Sequence, residues 1–506
     1  MSNLDILFIH PNASKKIYQD LSKDHSAIEP PIWAAMLANH CRSRGQSVAI
    51  LDCEAERFTI EQSVGMINHL APKIACFVVY GQQPSASSQN MQGAVDLAKA
   101  LKESNPFMLN VFVGGHVAGL PREVLTRHND CIDLICQNEG VYTISNLVDS
   151  IKSKSFDQTK IKGLGYFKDG KPILNATEKI VPRKLLEQDL PGMAWDLLPD
   201  ISKYRTAGWH SWTNNSEKGP FGAIYTSLGC PYKCSFCMIN IINRTNNAPN
   251  ISSENSNTFR YWNPDFIIKE FDKMAEFGIK NVKIADELFV LNPRHFIKVC
   301  DLLIERDYGF NIWAYSRIDT CKPKYLDKLK KAGVNWLGLG IENPNTVLRK
   351  EVHKDGFKEV RIGDVLTTMD NAGINPASNF IFGLPMDDQE SMQSTLDFAM
   401  ETMSPMVNFY CAMAYPGSPL HIMAKKKGWK LPKNYSGYSQ HAYDTLNLSN
   451  DNLTSKEILA FRDKAWNDYH TNPKYLKSLE DRFGLHARKN VEDMTKIKLK
   501  RKLLGD

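Results

Sequence analysis

Three cysteines, Cys230, Cys234 and Cys237, stand in the spacing CxxxCxxC. Three thiolates on one short loop hold three irons of a four-iron cluster and leave the fourth iron without a protein ligand. An open metal position marks a catalytic rather than a structural site. A structural zinc would need a fourth Cys or His close by, and no histidine follows the triad before His295. The other eight cysteines (Cys41, Cys53, Cys76, Cys131, Cys136, Cys300, Cys321 and Cys411) are scattered, mostly in apolar runs where a thiol behaves as a small hydrophobe. They make no disulfide framework. Met1 to Asp5 carry no basic stretch leading into an apolar one, so a reducing cytoplasm is the expected compartment.

The elements around the triad must place it. From Phe221 to about Ala414, strands and helices alternate, with strands expected at Ala223–Ser227, Val282–Ala285, Ile312–Tyr315, Trp336–Gly340, Ala377–Phe382 and Val407–Ala412. Six βα units make a partial (β/α)6 barrel of the TIM type over residues 220–415, with the triad at the end of its first strand. The Asn- and Ser-rich stretch from Asn240 to Asn257 reads as a mobile loop, a lid or substrate loop. Residues 1–150 alternate in the same way, with strands at Leu4–Ile9, Val48–Leu51, Ile74–Tyr80, Val111–Val113 and Ile132–Cys136 and helices at Ile32–Arg44, Glu61–Leu70 and Ser88–Glu103. That is an α/β, doubly wound parallel sheet, Rossmann-like, which binds ligands beyond the carboxyl ends of its strands. Those ends carry Asn12, Tyr80, Gln82, Gly114, Gly115, His116, Glu139 and Gly140. Residues 151–219 read as a linker and 416–506 as a small, mainly helical region.

At 506 residues the chain exceeds one domain, and 42% apolar with 23% charged residues excludes wholesale disorder. No window is apolar for eighteen residues or more, so no membrane span is expected. The net charge of +6 is concentrated after Gly484, which leaves the body nearly neutral and gives no ground for expecting nucleic acid as a partner.

The run from Thr226 to Cys237 resembles the radical S-adenosylmethionine superfamily, and the likeness continues through Ala285-Asp286-Glu287, Tyr315-Ser316-Arg317, Gly338 to Glu342, Asn379 to Pro385 and Tyr415 to Pro419. With Glu29-Pro30-Pro31, Gly114-Gly115-His116, Asn138-Glu139-Gly140 and Trp195 to Leu198, the whole chain resembles the cobalamin-binding members of that superfamily. The resemblance implies a [4Fe-4S] cluster on Cys230, Cys234 and Cys237, with the open iron binding the amino and carboxylate groups of S-adenosylmethionine. It assigns Phe236, Asp286, Glu287, Ser316, Arg317 and Glu342 to that ligand. Arg317 suits the methionine carboxylate, Asp286 or Glu287 the amino group, and Glu342 the ribose hydroxyls. In the first domain it assigns Asn12, Tyr80, Gln82, Gly114, Gly115, His116, Glu139 and Gly140 to cobalamin, with Gln83 beside them. The HxxG run at His116 lacks the Asp of histidine-ligated cobalamin proteins, since Gly114 stands in its place, so cobalt is expected to be held without a histidine ligand.

What the resemblance implies is a radical enzyme that cleaves S-adenosylmethionine to a 5'-deoxyadenosyl radical and methylates an unactivated carbon, or phosphorus, through methylcobalamin. The substrate is expected to be a small molecule or biosynthetic intermediate, with flavodoxin or ferredoxin as electron donor. Related layouts also catalyse cyclisation or rearrangement without net methyl transfer. A corrinoid carrier or sensor, with zinc on the three cysteines, is the reading from outside enzymes. Trp209, Trp212, the Asn-rich loop and the C-terminal helices are the expected walls of the substrate pocket.

Overall fold

The structure, a computed structural model, describes residues 4–81, 83–246, 251–354 and 360–506. Its first sheet has seven strands: β1 (Ile6–His10), β2 (Val48–Asp52), β3 (Ile74–Val78), β4 (Leu109–Val113), β5 (Leu134–Cys136), β6 (Leu164–Lys168) and β7 (Lys171–Leu174). They lie in the order β2-β1-β3-β4-β5-β6-β7. The first five are parallel, and Ile6 to Ile9 of β1 are wholly buried, as a strand covered by helices on both faces must be. Helices Ile32–Ser43, Ile60–Leu70 and Pro84–Ser104 fall where periodicity predicts them. The strand order reverses between β1 and β3, so the crevice of this sheet opens beside His10 and Tyr80. The sheet does not stop near residue 150. β6 and β7, inside the expected linker, add an antiparallel hairpin to β5.

The second sheet has six parallel strands: β8 (Phe221–Ile224), β9 (Asn281–Ile284), β10 (Asn311–Arg317), β11 (Val334–Glu342), β12 (Asn375–Phe382) and β13 (Met406–Cys411). They follow one another in chain order, and the edge strands β8 and β13 do not pair, so the barrel stays open on one side. An asparagine ladder ties the amino ends of four strands. Asn311 donates to Asn281 at 2.8 Å, Asn335 to Asn311 at 3.0 Å and Asn375 to the Asn335 carbonyl at 2.9 Å. Below it, Trp336 stacks on Phe483 of the C-terminal helices at 5.5 Å. Those helices are fixed to the barrel by the Tyr469 and Tyr475 hydroxyls, which donate to the carbonyls of Ser404 and Pro405. Among the described residues no helix is long and apolar enough to cross a membrane.

The stretch after the cysteines departs from the mobile loop its composition predicts. Asn240 and Asn243 are buried in a short helical turn, Ile239–Asn243, and Arg244, Ser252 and Ser253 are buried as well. Residues 247–250 lie outside the described part. The asparagines act here as buried hydrogen-bonding groups, a use that composition does not separate from a solvated loop.

Burial sets the response to acid. His116, His210 and His441 are pushed down to about 3, and His128, His295, His421 and His470 to about 4, in each case chiefly by desolvation. A depressed histidine is neutral in the fold and takes a proton on unfolding, so its contribution is whole above about pH 6.5 and is lost as pH falls below that. These seven outnumber the buried carboxyls Asp52, Asp286, Glu287 and Asp387, whose raised values act in the opposite sense. Each net proton is worth about 1.4 kcal/mol per pH unit. The urea midpoint is therefore expected to drop clearly between pH 7.5 and pH 5.5; a midpoint that holds or rises contradicts this account.

Candidate functional site

Gly229, five residues past the end of β8, has φ +84, and a Cβ there would run into the carbonyl oxygen of Thr258, so only glycine turns the chain into the cysteine loop. The loop is then clasped from outside. The Asn240 amide donates to the carbonyls of Cys230 at 3.0 Å and Tyr232 at 3.3 Å. Ser235 N–H reaches Val352 O, and the Ser253 hydroxyl reaches Cys237 O at 2.8 Å. Cys230 is buried and Cys234 and Cys237 partly so; desolvation raises all three thiols, Cys230 to about 12. Lys354 and Arg317 pull the Cys234 thiol back down. An ion 2.3 Å from each of two sulfurs holds them within about 4.6 Å of each other. Among the described residues only His128, Asp130 and Cys131 gather three ligand atoms within 4.8 Å, and the triad does not. Three thiols on one short loop are the donor set of a four-iron cluster with one iron left open.

Around the loop, Glu342 has φ +63 at a bulge between β11 and β12, a strained conformation for a residue with a side chain. Its carboxylate is paired with the Lys354 ammonium, both side chains less than a tenth exposed, and Lys354 also stands 5.8 Å from the Phe236 ring centroid. Lys354 escaped the sequence reading. Arg317 lies 3.9 Å over the Tyr232 ring and pairs with Asp319 at 2.8 Å; the Ser316 hydroxyl meets Thr320 at 3.0 Å. The two acids after β9 part company. Asp286 accepts from Thr226 N–H, the Thr226 hydroxyl and the Ser227 hydroxyl, each at 2.6 Å, and so braces the strand leading to the cysteines. Glu287 is raised to about 8 by burial and lines a small hollow with Tyr80, Gly115, Tyr225, Gly229 and Met238.

On the opposite sheet, Tyr80 stacks on Trp33 at 4.5 Å and Gln83 donates to the Tyr315 hydroxyl of the barrel. Gln82 lies outside the described residues. Other expected ligand contacts have structural partners. Asn12 accepts from Ser14 at the start of a short helix. A Cβ on Gly114 would meet the Val79 carbonyl, so glycine is required there by the neighbouring strand. Gly140, with φ +83, starts the helix Val141–Lys152. His116 bonds Ser88 at 2.9 Å, is enclosed by Tyr435 and Tyr438, and does not line that small hollow. Glu139 is 1% exposed and pairs with Arg260 at 2.8 Å while accepting from Val181 N–H at 2.5 Å. Asn138 and Arg244 add a second tie, the Asn138 amide donating to Arg244 O and the Arg244 guanidinium to Gln137 O. These contacts lash the chain that follows the cysteines to the first sheet.

Between the sheets lies a cavity of about 580 Å³. His10, Tyr80 and Gln83 face it from the first sheet and Lys283, Trp313 and Tyr315 from the barrel. Arg462, Trp466 and Arg501 close it from the C-terminal region, whose helices are the expected walls of the pocket. Trp209 lines it as expected; Trp212 instead packs on Trp336 and Phe483. The crevice of the first sheet and the interior of the barrel therefore open on one space, lined by Tyr80 and Gln83 but by none of the three cysteines nor by Phe236, Asp286, Glu287, Ser316, Arg317 or Glu342.

Two family models match this chain: the radical SAM superfamily over residues 224–399 and the B12 binding domain over residues 25–148. An uncharacterised methyltransferase of Pyrococcus horikoshii is 26% identical over 472 residues, 92% of this chain and 94% of that one. The anaerobic magnesium-protoporphyrin IX monomethyl ester cyclase of Rubrivivax gelatinosus is 24% identical over 428 residues, 82% of this chain and 69% of its own. The radical S-adenosylmethionine methyltransferase TsrM from Kitasatospora setae, with cobalamin and a [4Fe-4S] cluster bound, superposes with a TM-score of 0.67 at 15% identity, covering 98% of this chain and 99% of that one. The cobalamin-dependent S-adenosylmethionine radical enzyme OxsB superposes at 0.68 and 17% identity, covering 97% and 72%. At such identities these likenesses are of fold.

Proposed function

We propose that this chain, which joins a B12-binding domain to a radical SAM domain, is a cobalamin-dependent radical S-adenosylmethionine methyltransferase acting on a small molecule. The observation that carries the reading is the shared cavity, lined by His10 and Tyr80 at the strand ends of the first sheet and by inward-facing side chains of the barrel. When bound, a [4Fe-4S] cluster supplies an electron for cleavage of S-adenosylmethionine, and methylcobalamin supplies a methyl group.

The chain's own residues provide the rest. Cys230, Cys234 and Cys237 hold the cluster, and Asn240 and Ser253 fix the loop that carries them. Arg317, Ser316, Glu287 and Phe236 surround the S-adenosylmethionine site. Glu342, kept in place by Lys354, takes the ribose hydroxyls. Asp286 positions the loop through Thr226 and Ser227 and leaves the methionine amino group to Glu287. Tyr80, Gln83 and Gly115 face the corrinoid, and the other strand-end residues, Asn12, Gly114, His116, Glu139 and Gly140, shape the walls of its domain. Burial between the sheets excludes water from a carbon-centred radical. An external one-electron donor of the flavodoxin or ferredoxin kind is required, and the eleven free cysteines fit a reducing cytoplasm.

The test is anaerobic reconstitution with iron, sulfide and cobalamin, then reductant and S-adenosylmethionine. Both 5'-deoxyadenosine and S-adenosylhomocysteine are expected, the second only with cobalamin. Deoxyadenosine alone, with a product of unchanged carbon count, would move the assignment to a cyclase or mutase.

A further inference from the structure

Lys283 is an anomaly in the barrel wall. It sits on β9, its side chain is 2% exposed, and its ammonium lies 4.5 Å over the Trp313 ring and 5.8 Å from that of Tyr315. A buried ammonium needs a counter-ion. The counter-ion comes from the other domain: Glu29, 29% exposed, at 2.8 Å. Beside this pair the Trp313 indole N–H is buried with no acceptor. Gly338 faces it, for a Cβ there would stand 3.2 Å from that nitrogen and under 3 Å from the Tyr315 ring. All five residues line the cavity. Two donors, one charged and one unsatisfied, thus converge where the barrel floor meets the cavity.

We propose that Lys283 and Trp313 form a receptor for an oxyanion group of the substrate, carboxylate or phosphate, and that the Glu29 carboxylate holds its place until the substrate arrives. The proposal rests on the cavity being the substrate site. Lysine offers three donors about one point charge, so it takes either anion without the fixed fork of an arginine. The indole N–H supplies a second donor at a fixed position, and a buried donor left unpaired disfavours a ligand that cannot accept from it. Glu29 enters on the segment before Pro30 and Pro31, whose rings limit how that backbone can turn, and its group is the one the receptor is built to take.

The experiment uses the holoenzyme labelled with 5-fluorotryptophan and read by fluorine NMR, the Trp313 signal being assigned by its loss in Trp313→Phe. The probes are 3-phenylpropionate, 2-phenylethyl phosphate and the neutral 3-phenylpropionamide. One of the two anions is expected to move the Trp313 signal and the amide to leave it alone; which anion binds tighter identifies the group. Lys283→Met is expected to weaken that anion about tenfold or more, and Glu29→Gln, which removes the competitor, to tighten it severalfold. A pair that merely joins the domains would not give tighter binding in Glu29→Gln, a conservative change at a partly exposed residue. The proposal is overturned if no probe moves the signal, if amide and anions act alike, or if Glu29→Gln leaves affinity unchanged. Deoxyadenosine release in the same samples separates the two levels: cleavage without anion binding removes the receptor alone, and anion binding without cleavage removes the enzymatic assignment.

Discussion

Cys230→Ala, purified and reconstituted without oxygen, is expected to lose the brown colour of the wild type, bind less than the full complement of iron, and release 5'-deoxyadenosine at least about 1000-fold more slowly. That factor is about 4 kcal/mol of barrier, the scale of removing a group the reaction cannot proceed without. The expectation follows from the loop's geometry. On the proposed assignment the three thiols hold the cluster; Cys230 is the buried one of the three, and its carbonyl is fixed by Asn240. Cys41→Ala is the matched comparison. That thiol is fully buried in the helix Ile32–Ser43, far from the loop in sequence, and its loss should change stability and leave colour and cleavage intact. Zinc instead of iron in the wild type, or full cleavage by Cys230→Ala, would end the radical assignment.

What the sequence made legible, and what it hid, divides by range. The triad lies within eight consecutive residues and its strand is named by the apolar run before it, so both could be read locally. The eleven parallel strands were legible for the same reason, each being a short apolar run between turn signals. The β6–β7 hairpin was also within reach. Asp169 and Gly170, both with positive φ, are the Asp-Gly turn that joins two short strands, yet the polar surroundings drew the segment into the linker. The partners of the site residues were not legible. Nothing near Glu342 announces Lys354 as its counter-ion, and nothing near Asp286 shows that Thr226 and Ser227, 60 and 59 residues earlier, will occupy its oxygens. Glycine likewise states only that a side chain is unwelcome. At Gly114 the obstacle is the Val79 carbonyl, a neighbour set by sheet register and not by a ligand.

The pair Glu139–Arg260 is the most consequential of these hidden contacts. Its partners stand 121 residues apart and join the end of β5 to the short antiparallel pair Ser227–Leu228 and Arg260–Tyr261, which leads into the cysteine loop. Arg260 has further acceptors in Val181 O at 2.6 Å and Asn243 Oδ1 at 2.8 Å, so the guanidinium cannot turn to water when the carboxylate is removed. Glu139→Ala therefore leaves a buried charge without its counter-ion and is expected to cost about 3–5 kcal/mol in urea unfolding. Arg260→Leu with Glu139→Ala should cost less than the sum of the two single changes, since the double variant strands no charge. The functional consequence differs from that of Cys230→Ala. Cleavage of S-adenosylmethionine needs the barrel and its loop, whereas methyl transfer also needs the first sheet held against them through this pair. Glu139→Ala is expected to retain most of its 5'-deoxyadenosine release at a temperature where it stays folded, and to lose the larger share of S-adenosylhomocysteine formation. Equal losses of both products would mean that the pair serves the barrel alone, and unchanged stability would mean that its burial is not maintained in solution.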